Sequence, residues 1–177
     1  MTDSTSVAEN DQTEPNTAVF AAGHFWTAEA VLRLVPGVRL AESGYAGGRS
    51  PAPTFEEVET GQSGHCHAVR LSFKPEWTSF DKLVRVFFEI HDPTQLNRQG
   101  DDVGPQYRSA IFYLDENQKA IAEAAIARLK ELGWPVLTAL EPLVHFHRAE
   151  DRHQHYIKNH GHPLRPRIRR FDQAYQE

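Results

Sequence analysis

The sequence predicts one domain of the α/β class, in which strands alternate with helices along the chain. A length of 177 residues is enough for one domain with a sizeable core. Hydrophobic residues make up 40% of the chain and charged residues 24%, as is ordinary for a globular protein. Strand patterns occur at residues 19–22, 38–45, 65–73, 109–114 and 136–143, and apolar residues have helical spacing at residues 27–35, 79–90 and 116–132.

The predicted helices have recognisable ends, which fix the order of the elements. Gly23 ends the first strand, and the helix that follows it at once is stopped by Pro36. Ser79 is the predicted N-cap of the second helix, and Gly133 ends the third. A loop rich in glycine and proline at residues 44–55 must run over the surface or around a site.

Charge and hydropathy limit the partners and the location that we expect. Residues 1–17 carry acidic side chains and no Lys or Arg, so we predict a disordered leader before a domain at residues 18–160 and a basic tail at residues 161–177. No apolar run approaches the roughly 18 residues of a membrane span, which predicts a cytoplasmic protein. A net charge of −5 predicts neither nucleic-acid nor membrane binding, and we expect a monomer or a weak homo-oligomer.

Histidine is unusually abundant, with ten residues against one cysteine and one methionine. Imidazole is the commonest side-chain metal ligand, so the clustering of histidines suggests a metal site. The single cysteine, Cys66, cannot form an intramolecular disulfide, and thiol catalysis would therefore need an external partner.

Several separated motifs resemble those of one known family. Gly-His-Phe-Trp at residues 23–26 resembles the Gly-Cys-Phe-Trp signature of the peptide methionine sulfoxide reductases of the A type. The resemblance continues through residues 44–48, 91–109 and 146–154. It implies an α/β (α+β) two-layer sandwich, with a mixed sheet flanked by helices.

The resemblance also implies site residues, some retained and some changed. Tyr107 and Asp102 match residues that line the family's active site, and Phe25 and Trp26 match the wall that cradles a methyl group. The nucleophilic cysteine of the family corresponds to His24, the catalytic glutamate to His67, a pocket tyrosine to His147 and a second tyrosine to Phe55.

Because these replacements converge on imidazole, we predict a mononuclear metal site rather than the family's thiol chemistry. The predicted ligands are His24, His65 and His67, with His147 as a possible fourth, and the predicted metal is iron or copper rather than zinc. Tyr107 and Asp102 would then be catalytic, and Phe25, Trp26, Phe55 and Tyr107 would bind the substrate. The predicted reaction is the oxidation or cleavage of a small sulfur-containing molecule.

Two other interpretations stay open at this point. The protein could be an inactive relative that binds methionine sulfoxide or a related ligand, with its histidines bonded to Asp102 and Tyr107. It could also be a sulfoxide reductase that uses Cys66 as a relocated nucleophile. Strand alternation turns Cys66 away from His65 and His67, which favours a buried, inert thiol.

Overall fold

A computed structural model describes residues 15–162 of the chain, and its centre is a six-stranded mixed sheet. The strands lie in the order β7-β6-β1-β3-β2-β8, and a separate hairpin is formed by β4 and β5. Neighbouring strands of the large sheet are antiparallel except β6 and β7, which are parallel. The strands are β1 (Thr17–Ala22), β2 (Val38–Ala46), β3 (Cys66–Phe73), β4 (Arg98–Gln99), β5 (Asp102–Val103), β6 (Ser109–Tyr113), β7 (Ala139–Pro142) and β8 (Phe146–Arg148).

Five α-helices accompany the sheet within the described residues: α1 (Phe25–Leu32), α2 (Phe55–Glu59), α3 (Phe80–Glu89), α4 (Glu116–Glu131) and α5 (Tyr156–His160). Short 3₁₀ turns lie at Pro105–Tyr107 and Asp151–His153. The apolar faces of α1, α3 and α4 pack on one side of the sheet and form the main core with it. The predicted two-layer α/β (α+β) sandwich with a mixed sheet is therefore confirmed.

Alternation along β3 separates the two faces of the sheet. His67 and Val69 face the helical layer, whereas Cys66 and Ala68 lie in a smaller apolar cluster on the other face, which Phe146 also joins. This division decides which side chains can reach the site described below.

The short elements were not predicted from the sequence. The loop predicted at residues 44–55 gives way to α2, which begins after Thr54 in a capping box: the Thr54 hydroxyl accepts from the Glu57 amide, and the Glu57 carboxylate accepts from the Thr54 amide. β8 lies at the edge of the sheet, where its one neighbouring strand is β2. Elements this short depend on tertiary contacts rather than on periodicity.

Most residues of the predicted leader and of the predicted tail lie outside the part of the chain that the structure describes. Of the predicted leader at residues 1–17, residues 1–14 fall outside the described part, and β1 begins at Thr17. Of the predicted tail at residues 161–177, residues 163–177 fall outside it. Among residues 15–162, no helix is both long enough and apolar enough to cross a membrane.

Candidate functional site

The site is built around the turn between β1 and α1. Gly23 has a φ of 82°, and a Cβ at this position would lie 2.7 Å from Gln99 Cγ, so the turn and the β4–β5 hairpin meet without room for a side chain. His24 follows as the N-cap of α1, and its Nδ1 accepts the Trp26 amide at 3.3 Å. The turn therefore places a half-buried imidazole at the amino end of a helix.

A second imidazole reaches the same helix end from β3. His67 Nδ1 accepts the Phe25 amide at 3.4 Å, and the His24 and His67 ring centroids are 4.7 Å apart. Because each Nδ1 accepts a backbone N–H, the proton of each neutral ring lies on Nε2. The two rings thus turn hydrogen-bond donors toward their surroundings.

Glu59, the last residue of α2, joins His67 to Tyr107. One carboxylate oxygen accepts from His67 Nε2 at 2.7 Å, and the other accepts from the Tyr107 hydroxyl at 2.6 Å. The Gln106 side chain donates to the Glu59 carbonyl at 3.1 Å. The end of α2, β3 and the 3₁₀ turn before β6 therefore converge on one acidic residue.

Aromatic rings surround His24. The centroid of its ring lies 4.3 Å from that of Trp26, 5.3 Å from Phe25, 6.1 Å from Tyr107 and 6.4 Å from Phe55. An apolar enclosure with a few polar atoms is the usual composition of a small-ligand site.

Trp26 is itself held firmly. Its indole N–H donates to His153 Nδ1 at 3.0 Å, and its ring stacks on Tyr156 of α5 at 3.6 Å and 5°. The wall of the site is therefore fixed before a ligand arrives.

The pKa values of the ionisable groups at this site are shifted in different directions. Burial, reinforced by the neighbouring His67, lowers the pKa of His24 to about 3, so this ring is neutral at physiological pH. Burial would raise the pKa of Glu59, but the hydrogen bonds from His67 and Tyr107 outweigh it and hold that pKa below its usual range. Desolvation of the carboxyl, together with the Glu59 charge, raises the pKa of Asp102.

The structure does not bring His65 or His147 to this site. His65 Nδ1 accepts the Gly48 amide at 3.1 Å, and its Nε2 donates to the Ser50 carbonyl at 2.9 Å, so this ring braces the glycine-rich loop. His147 lies opposite Tyr45 in the β2–β8 pair, and its ring is 5.3 Å from that of His65.

Cys66 lies on the far face of the sheet from His24. It is fully buried among apolar side chains, and burial raises the pKa of its thiol to about 11. A thiol with so little thiolate character and no access is a poor nucleophile.

Glu59 is the site residue that the sequence analysis missed. Its place eight residues before His67 gives no periodic signal, because the two residues belong to different elements. The available signal was the Thr54–Glu57 capping box, which predicts that a helix begins after Thr54 and therefore includes Glu59.

Comparison with known proteins identifies the relatives of this chain. The family model described as "Peptide methionine sulfoxide reductase" matches residues 16–175. The enzyme named peptide methionine sulfoxide reductase MsrA from Nautilia profundicola is 51% identical, over 82% of this chain and 84% of its own length. The protein of the same name from Methanosarcina acetivorans is 46% identical, over 90% of this chain and 86% of its own.

Solved structures agree in fold. Methionine sulfoxide reductase A of Corynebacterium diphtheriae superposes with a TM-score of 0.76 at 34% identity, covering 87% of this chain and 80% of its own. Reduced Mxr1 from Saccharomyces cerevisiae gives a TM-score of 0.78 at 30% identity, covering 85% and 88%.

The predicted metal-dependent reaction is wrong, and so is the prediction of iron or copper as its cofactor. The relatives are named as sulfoxide reductases, and residues 15–162 contain no group of three or more His, Cys, Asp or Glu side chains placed to hold a metal ion. The physical reason is that both ring nitrogens of His65 and of His67 already have hydrogen-bond partners. His24 uses its Nδ1 to accept the Trp26 amide, which leaves only its Nε2.

Proposed function

Because the chain belongs to the peptide methionine sulfoxide reductase family, we propose that it reduces methionine sulfoxide in peptides with electrons from an external thiol. The observation that carries this proposal is the neutral His24 ring, with its proton on Nε2, enclosed by four aromatic rings. An apolar enclosure suits the methyl group of the substrate, and an N–H donor suits its sulfoxide oxygen.

Substrate binding is assigned to the residues that surround His24. Phe25, Trp26, Phe55 and Tyr107 provide the apolar contacts, and His24 Nε2–H polarises the S=O bond by donating to its oxygen. A neutral imidazole suits this role, since burial keeps its pKa far below physiological pH and its proton stays on Nε2.

The electrons must come from outside the chain. The resemblance puts His24 at the position of the family's nucleophilic cysteine, and the only thiol of the chain is buried on the far face of the sheet. In the proposed reaction, the sulfur of a first thiol attacks the sulfoxide sulfur while the oxygen takes up two protons and leaves as water. A second thiol then attacks the sulfur of the first, which releases the thioether and a disulfide. One sulfoxide and two thiols thus give one thioether, one disulfide and one water.

Proton delivery is assigned to Asp102. Its carboxyl has a raised pKa while that of Glu59 has a lowered one, and two carboxyl groups separated in this way take acid and acceptor roles. Asp102 interacts electrostatically with both His67 and Glu59, which supports a position at the edge of the site. It would pass a proton from the solvent or from the thiol to the departing oxygen.

The test is the reduction of N-acetylmethionine sulfoxide amide in excess dithiothreitol, followed by mass spectrometry. We expect N-acetylmethionine amide to form in proportion to protein, with one oxidised dithiothreitol per molecule of product. His24→Ala should reduce kcat/KM at least tenfold, whereas His145→Ala, which removes an exposed imidazole outside the site, should leave it within twofold. A wild-type rate equal to that of the protein-free mixture would overturn the proposal and leave a sulfoxide-binding protein at most.

A further inference from the structure

We propose that Glu59 is a positioning residue of this site, which holds the His67 ring and the Tyr107 hydroxyl in the arrangement that the substrate meets. This inference rests on the proposed function and deepens it. The resemblance assigns the catalytic carboxylate of the family to the position of His67, where this chain has an imidazole. Glu59, at the end of α2, places a carboxylate within hydrogen-bond distance of the His67 ring.

The geometry of Glu59 differs from that of its neighbours on α2. Glu56 and Glu57 are exposed: Glu56 pairs with Arg152, and Glu57 caps its own helix. The Glu59 side chain is 31% exposed, and each of its carboxylate oxygens accepts one short hydrogen bond from a buried residue. Among the acidic residues of α2, Glu59 is the one that faces inward.

Glu59 is connected to the first turn of α1 through hydrogen bonds of the His67 ring. With Nε2–H donated to Glu59, the His67 ring leaves Nδ1 unprotonated, and this atom accepts the Phe25 amide at the start of α1. The opposite tautomer would set a ring N–H against the Phe25 N–H. Loss of Glu59 would therefore loosen the first turn of α1, where His24 is the N-cap.

A second hydrogen bond of Glu59 holds the Tyr107 side chain in place. Its hydroxyl donates to Glu59, and the pKa of this phenol is raised by burial and by that hydrogen bond, so the proton stays on Tyr107. The adjacent Gln106 donates to the Glu59 carbonyl, which anchors the whole 3₁₀ turn. Glu59 thus holds two rings that lie against His24, those of His67 and Tyr107.

The negative charge of Glu59 should affect the pH dependence of activity, which a purely structural role of this residue would leave unchanged. The Glu59 carboxylate is hydrogen-bonded to His67 and Tyr107, and its charge also acts on His24 and Asp102. The negative charge of Glu59 helps to raise the pKa of Asp102, so Glu59→Gln should lower that pKa. In the proposed reaction Asp102 donates a proton, so the loss of activity at rising pH should begin at a lower pH in Glu59→Gln.

The experiment compares Glu59→Gln with Glu57→Gln, which removes the same charge from the same helix and keeps a capping-box residue at its position. We expect kcat/KM for N-acetylmethionine sulfoxide amide to fall about 10- to 100-fold in Glu59→Gln, mainly through kcat, the range of one charged hydrogen bond. Glu57→Gln should stay within twofold of wild type. Equal kcat/KM values and equal pH profiles in the two variants would overturn the assignment.

A second measurement needs no turnover, so it separates this inference from the proposed function. Nitrogen-15 NMR of wild-type histidines should show His67 with a protonated Nε2 and an unprotonated Nδ1. In Glu59→Ala, the same resonances should move toward averaged values of exchanging tautomers. An unchanged His67 spectrum in Glu59→Ala would overturn the positioning role even if the wild-type protein is an active reductase, and an inactive wild-type protein with a changed spectrum would overturn only the proposed function.

Discussion

Replacement of His24 with cysteine should give the chain a nucleophile of its own. The variant places a thiol at the N-cap of α1, where the helix dipole favours a thiolate by about 0.3–1 kcal/mol and so lowers the thiol pKa by up to about 0.7. Burial and the Glu59 carboxylate oppose this shift, since both disfavour a negative charge. We therefore expect a thiol pKa close to the ordinary value of about 8.5 and assays that work best near that pH.

The structural cost of His24→Cys is modest. The substitution removes the 3.3 Å cap to the Trp26 amide and the ring contacts with Trp26 and Phe25, which should destabilise the protein by about 1–2 kcal/mol. Because the remaining aromatic walls do not depend on His24, the site should still hold the sulfoxide.

The assay is a single turnover without any added thiol. His24→Cys combined with Cys66→Ala should convert N-acetylmethionine sulfoxide amide to one N-acetylmethionine amide per chain. The introduced thiol would take up the sulfoxide oxygen as a sulfenic acid, and without a reductant it could not react again. The Cys66→Ala chain that retains His24 should form none under the same conditions. Absence of the single equivalent in the folded double variant would refute the claim that this site accepts methionine sulfoxide beside position 24.

Three further predictions concern the scaffold. Cys66→Ala should leave thiol-dependent reduction unchanged and cost about 1 kcal/mol of stability in urea unfolding, since the thiol lies in an apolar cluster away from the site; loss of activity in this variant would restore Cys66 as the nucleophile. The free energy of unfolding should fall by at least about 3 kcal/mol as the pH drops from about 6.5 to about 4, because burial lowers the pKa of His91 to about 4 and that of His24 to about 3, so the unfolded chain binds protons that the folded chain does not; equal stabilities at about pH 7.5 and about pH 4.5 would contradict this. Gly44→Ala should destabilise the fold by about 1–3 kcal/mol, because its Cβ would lie 2.4 Å from the His147 carbonyl oxygen across the β2–β8 pair; a melting temperature equal to that of wild type would show that β8 moves away freely.

Much of the fold could be predicted because its long elements carry strong periodic patterns. Residues 79–90 and 116–132 were predicted as helices, and α3 and α4 lie within those limits. The residue motifs added the mixed sheet, which periodicity alone does not give. The short elements α2 and β8 could not be predicted, because their stability depends on capping and on pairing with distant residues.

The site was predicted less well, for a reason visible in β3. Strict alternation would put His65 on the same face as His67, and this was the basis for grouping them. The strand begins only at Cys66, after Gly64 with a φ of 79°, so the alternation does not extend to His65. That one-residue difference in the start of a strand sends His65 to the glycine-rich loop instead of the site.

Glu59 shows a second limit of sequence analysis. His67 replaces the glutamate that the resemblance assigns to its position, and the Glu59 carboxylate of α2 lies beside it. These two residues belong to different elements, and only the folded chain brings His67 Nε2 and a Glu59 carboxylate oxygen to 2.7 Å. Counting imidazoles suggested ligands for a metal, whereas the hydrogen bonds show them capping a helix.

The central claim is that the site reduces a sulfoxide although the chain supplies no thiol to it. The most direct test is the rate at which Cys66→Ala, a protein without any cysteine, forms N-acetylmethionine amide from its sulfoxide at increasing dithiothreitol concentrations. We predict continuous turnover that requires the thiol and yields one disulfide per N-acetylmethionine amide. A rate no greater than that of dithiothreitol alone would contradict the claim.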